Sequence, residues 1–530
     1  MRALRWWETP EFLAGSLSGI LLAAAVPPSP LGPLGFVALV PMLRVLFDPE
    51  RIRTGAPLRL RTLILSFGLT QHLIKLHWLM LLGAASPLTF KWAMPLLLIL
   101  LAFYATIPDA IVLWVLSILR KRREEQAIWW VPGLWIAAEW FRGVGEMGFP
   151  WLTLASTQLQ TPVLVQLAAQ LGELGVSLIV VWVNVLLTLT WMGFRGGFPR
   201  LGTVVLSRWW APVTLVLLMG GVLVQGVSAM RDVRESSDNL PALSVGVIQA
   251  NVDLLDKWDP AKRDSTFVPY TELTRRVAAE GARLVIWPET AVPFDLPRRP
   301  NYYAWVRDTV QESGVFLYMG YVERQVDEAG RLDSYNSTLL MGEDGTILER
   351  YRKMHLLPLG ERMPFQSLIP ALGRVDFGQA EWTPGRERTV FDVDGHRFSA
   401  LICFESIFSR FARTSVQRGA GMLVNVTNDG WFGKTVLPEQ HAWMSVLRAV
   451  ENRVPLVRVA NNGVSFVVRP DGRVDHQTPL FERAVFVTEV TPRPGGSFYS
   501  RNGDRTVFGL VAIGMIFLLA VTAISRRATG

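Results

Sequence analysis

Phe398-Ser-Ala-Leu-Ile-Cys-Phe-Glu-Ser406 reads as a buried apolar strand that stops at a thiol, with a polar, helix-permissive segment after it. Cys403 is the single cysteine among 530 residues. It has no intramolecular disulfide partner and no second thiol with which to hold a metal, which leaves packing or reactivity. A free cysteine is more often a small buried hydrophobe than a nucleophile. Two features count against that here. Glu405 lies two residues on, and a strand-to-helix junction exposes a side chain at the strand's carboxyl end, where α/β enzymes place nucleophiles. The rest of the chain must then supply flanking strands, a base and an oxyanion partner.

Around this stretch the composition is uneven. Mean hydropathy is +0.27, half the residues are apolar and 20 are Trp. The apolar excess falls in residues 1–230 and in 506–530, whereas 243–492 has the charge density of a globular domain. A helical span needs roughly 20 mainly apolar residues. Seven candidates precede the globular part: Phe12–Val26, Leu34–Phe47, Thr62–Leu82, Ala93–Leu119, Ala127–Val144, Val163–Met192 and Ala211–Val227. An eighth, Thr506–Ile524, follows it. Pro27, Pro28 and Pro30 suggest a tight re-entry between the first two. A cleavable signal peptide is the alternative for the start, from Arg2 and Arg5 to Ala23-Ala24-Ala25; the many later spans favour a retained helix.

The net charge of +8 reads as a topology signal, not a nucleic-acid one, because the basic residues lie beside apolar spans. Arg2 and Arg5, Arg51 to Arg61, Arg120-Lys-Arg-Arg123, Arg195 with Arg200 and Arg208, and Arg526-Arg527 all fall on one side of an eight-span arrangement. That side is cytoplasmic, so both termini are expected inside. Residues 243–492 are then expected in the periplasm of a multi-pass inner-membrane protein. Within the spans, Gln71, His72 and Lys75 cluster at helical spacing, and Glu139 accompanies Arg142. Interhelical pairing and substrate contact both fit these groups. Gly148-Phe-Pro-Trp151 and Ser156-Thr-Gln-Leu-Gln160 are expected at the outer interface.

The globular part interleaves strands (Leu243–Gln249, Leu284–Trp287, Val315–Tyr321, Ser337–Met341, Thr346–Tyr351, Phe398–Cys403, Met422–Val426, Leu456–Val459, Val464–Val468) with helices (Ala261–Ala279, Tyr302–Ser313, Ile407–Arg418, Glu439–Glu451). Such alternation predicts an α/β layered domain. No dinucleotide or phosphate-binding glycine motif and no HExxH is present, so neither a cofactor nor a metal is expected. Two further strand ends carry charge. Leu284-Val-Ile-Trp-Pro-Glu-Thr290 stops at Pro288 with Glu289 after it, and the stretch from Arg350 to Glu361 holds Lys353, His355 and Glu361.

Glu289, Lys353 and Cys403, each at or just beyond an apolar run, stand in the order of the glutamate, lysine and cysteine triad of the nitrilase superfamily, which the chain resembles. With the spans, Gly148-Phe-Pro-Trp151, Lys257-Trp258, Trp287-Pro-Glu289, Tyr335-Asn336, Tyr351–Pro364, Cys403-Phe-Glu405 and Asn428-Asp-Gly-Trp-Phe-Gly433, the resemblance narrows. It is to the membrane branch of that superfamily, the apolipoprotein N-acyltransferases. Phe404 departs from the tyrosine of some relatives, which the site tolerates if its backbone N–H is what matters. The resemblance implies an α-β-β-α sandwich on a membrane domain of about eight helices. It also implies a phospholipid acyl donor and a diacylglyceryl apolipoprotein acceptor.

Acyl transfer from an ester to an amine needs an intermediate activated towards amines, and a cysteine thioester is one. Glu289 is the expected general base. Lys353 and the N–H of Phe404 are expected to hold the oxyanion. Glu361 and Glu405 are expected to orient Lys353, with a plain loop salt bridge as the alternative; Asn336 is carried over as a supporting residue. His355 offers a Cys–His pair that would leave Glu289 and Lys353 without roles. Trp258, Trp431 and Phe432 are expected to line a lipid entrance, and Asn428 and Asp429 to shape the turn before them. Two rival classes remain: a membrane-anchored amidase acting on small amides, and a transporter with an inert outer domain.

Overall fold

The computed structural model describes residues 5–85, 93–196, 200–201, 204–238, 240–326, 330, 332–374 and 381–529. Arg2, part of the expected charge pattern, lies outside them. The chain divides into two compact units. One is Met1–Met80, Ala93–Ala229 and Asn502–Gly530; the other is Leu81–Trp92 with Met230–Arg501.

The first unit is a bundle of apolar helices. Its opening helix, Pro10–Ala24, starts where Thr9 Oγ1 accepts from the N–H of Phe12 and proline occupies the first helical position. The helix packs on Leu60–Lys75 through Gly15, where a Cβ would lie 2.0 Å from Ser66 Oγ. Leu22, Phe47, Phe67, Leu113, Trp135 and Val181 form part of the core.

A count of about eight spans is not supported by the described residues. Among the described residues four segments are long and apolar enough to cross a membrane: Gly32–Thr54, Met94–Lys121, Ala168–Phe194 and Trp210–Ser237. Pro10–Ala24 has 15 residues, about 22 Å at 1.5 Å per residue against a core of about 30 Å. The third expected span breaks after Lys75 into Leu60–Lys75 and Leu79–Ala85. The fifth is helical in the α sense only over Val131–Arg142, after a 3₁₀ stretch at Glu124–Trp130. At the C-terminal end the apolar part is Arg505–Val521. Hydropathy counts apolar residues but does not register where polar groups end the hydrogen-bonded run.

Polar residues of three of these helices meet in a buried network. Asp109, on Met94–Arg123, accepts from Gln71 Nε2 (2.8 Å) and lies 3.2 Å from His72 Nε2. Its other oxygen takes Arg142 Nη2. Lys75 Nζ donates to Gln71 Oε1 and the Leu152 carbonyl, both at 3.2 Å. Glu139 accepts from Trp135 Nε1 and the N–H of Leu154. The two polar groups seen in the sequence are thus joined by an aspartate that went unnoticed.

The second unit is a four-layer sandwich. Its strands are β1 (Leu243–Gln249), β2 (Leu284–Ile286), β3 (Phe316–Val326), β4 (Leu332–Met341), β5 (Ile347–Arg352), β6 (Val390–Val393), β7 (His396–Ile402), β8 (Met422–Thr427), β9 (Leu456–Ala460), β10 (Phe466–Val468), β11 (Val474–Asp475) and β12 (Ala484–Val490). One six-stranded sheet runs β12-β1-β2-β3-β4-β5, the other β11-β10-β9-β8-β7-β6. The central strands β1 to β3 and β7 to β9 are parallel. Parallel strands are covered on both faces, and β8 is accordingly buried at every residue. Leu243, Val245, Val247, Tyr318 and Leu340 meet Phe398, Ala400, Val424 and Val457 in the layer between the sheets.

On the outer face of the first sheet, Phe267, Tyr270, Val277, Val306 and Val310 of helices α1 (Arg263–Ala279) and α2 (Pro300–Ser313) pack on Ile248, Val285 and Leu317. Helices α3 (Ser409–Gln417) and α4 (Leu437–Asn452) accompany the second sheet. The expected α-β-β-α sandwich is therefore present. β6, β11 and β12 were not foreseen, nor was the short helix Leu254–Trp258.

Candidate active site

Three strand ends build the site. After β2, Trp287 is anchored by its Nε1 donating to Thr274 Oγ1 (2.9 Å) and by its ring lying 5.0 Å from that of Tyr270. Pro288 and Glu289 follow, and Thr290 turns the chain with φ +45°. Gly320 on β3 makes room for this turn: a Cβ there would lie 2.5 Å from the Thr290 nitrogen and 2.7 Å from Glu289 Cα. Lys353 directly follows β5 and donates its N–H to the Asn336 carbonyl (2.9 Å). Cys403 directly follows β7 with φ +50°, a conformation uncommon for a residue bearing a Cβ and frequent at functional turns.

The side chains converge. Glu289 Oε1 accepts from Asn336 Nδ2 (2.7 Å) and lies 3.6 Å from Lys353 Nζ; Oε2 accepts from the N–H of Asn428 (2.8 Å). Lys353 Nζ pairs with Glu361 at 2.8 Å. Glu361 is held in turn by Asn336 Nδ2 and the N–H of Leu357. Burial pushes the Cys403 thiol up, Glu289 adds to this and Lys353 opposes it, so the sulfur rests protonated. Burial alone would lower the Lys353 ammonium, but the Glu361 and Glu289 carboxylates outweigh it and hold the lysine charged. A protonated thiol, a carboxylate and a fixed cation in one pocket suit nucleophilic chemistry on a carbonyl.

Residues 244–495 match the carbon-nitrogen hydrolase family, and residues 18–186 match the apolipoprotein N-acyltransferase N-terminal domain. An apolipoprotein N-acyltransferase of Geobacter metallireducens is 32% identical over 98% of this chain and 96% of its own length. One from Chlorobaculum tepidum is 30% identical, covering 97% of each. One from Gloeobacter violaceus is 32% identical over 96% of this chain and 93% of its own length. The chain belongs to the apolipoprotein N-acyltransferase family. Membership and the apolar helices make it a bacterial membrane acyltransferase with a nitrilase-like domain. A solved nitrilase-superfamily amidase of Nesterenkonia AN1 overlays with a TM-score of 0.39 at 18% identity, over 51% of this chain and 99% of that one.

Other residues of the acyltransferase fall differently from expectation. Glu361 reaches Lys353, but Glu405 does not. Glu405 Oε1 accepts from Tyr351 Oη (2.8 Å) and the N–H groups of Met354 (2.9 Å) and His355 (3.2 Å), and Oε2 accepts from the N–H of Ile402 (2.8 Å). It ties the backbone just after Lys353, and the Tyr351 side chain before it, to the residue before Cys403. His355 sits in a box of Phe404, Phe408 and Phe411. Burial, with Arg410 and Lys353 nearby, lowers its pKa to about 3. No hydrogen bond joins it to Cys403 among the described residues. Trp258 and Trp431 are exposed at 39% and 38%, Phe432 is half-buried, and Phe404 is buried.

Asp429 is more than a turn residue. It is fully buried between Arg458 Nη2 (2.9 Å) and His441 Nδ1 (3.0 Å). Sequence reading passed over Arg458 and His441, although a charge inside the apolar run Leu456–Val459 was a visible signal. It also missed that Lys257, buried beside Trp258, donates to the Glu289 carbonyl at 3.0 Å.

Proposed function

We propose that the enzyme acylates the α-amine of the diacylglyceryl-cysteine of apolipoproteins with a phospholipid acyl group, in ping-pong order through a thioester on Cys403. The observation that carries this is the approach of Lys353 Nζ to Glu289 Oε1 (3.6 Å), with Cys403 held in a left-handed turn under the influence of both. In the first half-reaction Glu289 takes the thiol proton as Sγ adds to the ester carbonyl. Lys353 and the Phe404 N–H hold the oxyanion. Collapse breaks the ester C–O bond, Glu289 returns the proton to the leaving oxygen, and lysophospholipid departs. In the second, the α-amine adds to the thioester, Glu289 takes an amine proton, and collapse to the amide expels the sulfur, which is reprotonated.

The remaining assignments belong to the same proposal. Residues 1–230 and 506–530 form the membrane domain, and local thinning of the bilayer accommodates its shorter apolar helices. Residues 243–492 are periplasmic and both termini cytoplasmic. Trp258, Trp431 and Phe432 line the lipid entrance. The test is mass spectrometry of the full chain after incubation with phospholipid. We expect an acyl group on Cys403, released by hydroxylamine, and none in Cys403→Ala. Acyl transfer by Cys403→Ala would overturn the thioester. Reaction with small amides and not with phospholipid would favour the amidase reading.

A further inference from the structure

Three side chains converge on one backbone oxygen, the Cys403 carbonyl. His441 Nε2 lies 3.2 Å from it, Ser406 Oγ donates to it at 2.9 Å, and Asn425 Nδ2 makes a longer contact at 3.5 Å. None of the three touches the thiol chemistry proposed above. All are buried: Ser406 and Asn425 at 0% exposure, His441 at 2%. Facing a carbonyl that only accepts, Nε2 serves it as a donor. Nδ1 has a partner in either protonation state, because Asp429 Oδ1 accepts at 3.0 Å and Arg458 Nη2 donates at 3.2 Å. The Arg458 guanidinium locks the set, with Nη1 on Asn425 Oδ1 and Nη2 on Asp429 Oδ2.

The consequence follows from peptide geometry. The carbonyl of Cys403 and the N–H of Phe404 belong to the same planar trans peptide and point in opposite directions. Donors fixed behind the carbonyl therefore fix the aim of the N–H in front. They also hold the left-handed backbone of Cys403, and they polarise the peptide towards stronger donation. Resting on the reading of Phe404 N–H as an oxyanion donor, we propose that His441, braced by Asp429 and Arg458 and joined by Ser406 and Asn425, is a positioning residue that aims this N–H at the tetrahedral intermediate.

The test compares two reactions of the same thiol in the full chain in detergent micelles. Acylation by a phospholipid carrying a fluorescent acyl chain passes through an oxyanion; alkylation by iodoacetamide does not. Removing an oxyanion donor costs about 10²- to 10³-fold, so misaiming one in His441→Phe is expected to slow acyl-enzyme formation about 10- to 100-fold. Phospholipid KM and the alkylation rate are expected to stay within about threefold of the parent. His441→Gln, whose amide N–H replaces that of Nε2, recovers most of the loss. Equal loss in acylation and alkylation, or no loss in either, overturns the proposal. Should His441→Phe not fold, Ser406→Ala takes a donor from the same carbonyl and is expected to show the same split at about 3- to 10-fold; unchanged acylation there overturns it as well. Failure of the proposed thioester chemistry looks different, since Cys403→Ala would then still transfer acyl groups.

Discussion

Each compact unit buries a cluster of charged groups, and the two are closed in different ways. In the membrane unit Asp109 gathers Gln71, His72 and Arg142, and Lys75 turns to Gln71 and the Leu152 carbonyl. Opposite charges meet, and the cluster is bound up in holding Leu60–Lys75, Met94–Arg123 and Val131–Arg142 together. In the catalytic unit one ammonium, Lys353, is shared by two carboxylates, Glu361 at 2.8 Å and Glu289 at 3.6 Å. Burial, reinforced by the surplus of negative charge, keeps a thiol protonated beside a carboxylate. Buried charge alone is thus no mark of chemistry; the mark is a proton-bearing group that the cluster leaves to react.

That contrast can be broken most sharply at Glu289. Glu289→Gln preserves shape and the Asn336 contact but removes the base, and acyl-enzyme formation is expected to fall about 10²- to 10⁴-fold, measured in single turnover. A loss under tenfold would transfer the base role elsewhere. At Asp109 the expectation is the reverse kind of damage. Asp109→Ala strands Arg142 and is expected to cost about 3–5 kcal/mol of stability, read by thermal unfolding, with kcat per folded molecule within about twofold. A folded variant without acyl transfer would show that the membrane cluster joins the chemistry.

A third change leaves both clusters intact. Trp258→Ala, at a 39% exposed site, is expected to slow turnover of bilayer substrates roughly tenfold, the scale of one lost aromatic contact with lipid. Alkylation of Cys403 by a small electrophile should be unchanged. Equal loss in both assays would make Trp258 a support of the fold.

The last effect is a pH slope, small per unit. Burial lowers the Lys257 ammonium from 10.5 to about 7, with Glu289 opposing. A depressed folded pKa contributes stability above the unfolded value that is lost as pH falls towards the folded one. Between pH 10 and 7 the parent should therefore lose up to about 1.4 kcal/mol per unit on this account, and Lys257→Met should lack that slope. Parallel unfolding profiles would refute it.

Much of the catalytic unit was legible because parallel strands buried on both faces write themselves as mainly apolar runs: Leu284–Ile286, Met422–Thr427 interrupted by Asn425, and Leu456–Ala460 interrupted by Arg458. The charged residues at their ends then stand out, which is how Glu289, Lys353 and Cys403 were found. The half-exposed edge strand Ala484–Val490 went unassigned although it opens with the apolar run Ala484-Val-Phe-Val487. Asp109 stayed hidden because its partners lie 33 to 38 residues away, on other helices. His441 was invisible for the same reason, since it holds a backbone oxygen 38 residues away that no side-chain pattern advertises; Arg458 did show itself, as a charge inside Leu456–Val459. The number of spans was misjudged because an apolar run and an unbroken helix are different things, as the break after Lys75 demonstrates.

Cys403 is the chain's single sulfur of its kind, and this sets how the protein ages under oxidants. Peroxides attack thiolates, and burial with Glu289 nearby keeps this one a thiol at rest. The resting enzyme is thereby shielded by the same electrostatics that delay its reaction. Once a sulfenic acid does form, the sequence offers no resolving cysteine to trap it as an internal disulfide, so repair falls to an outside reductant before further oxidation makes the loss permanent.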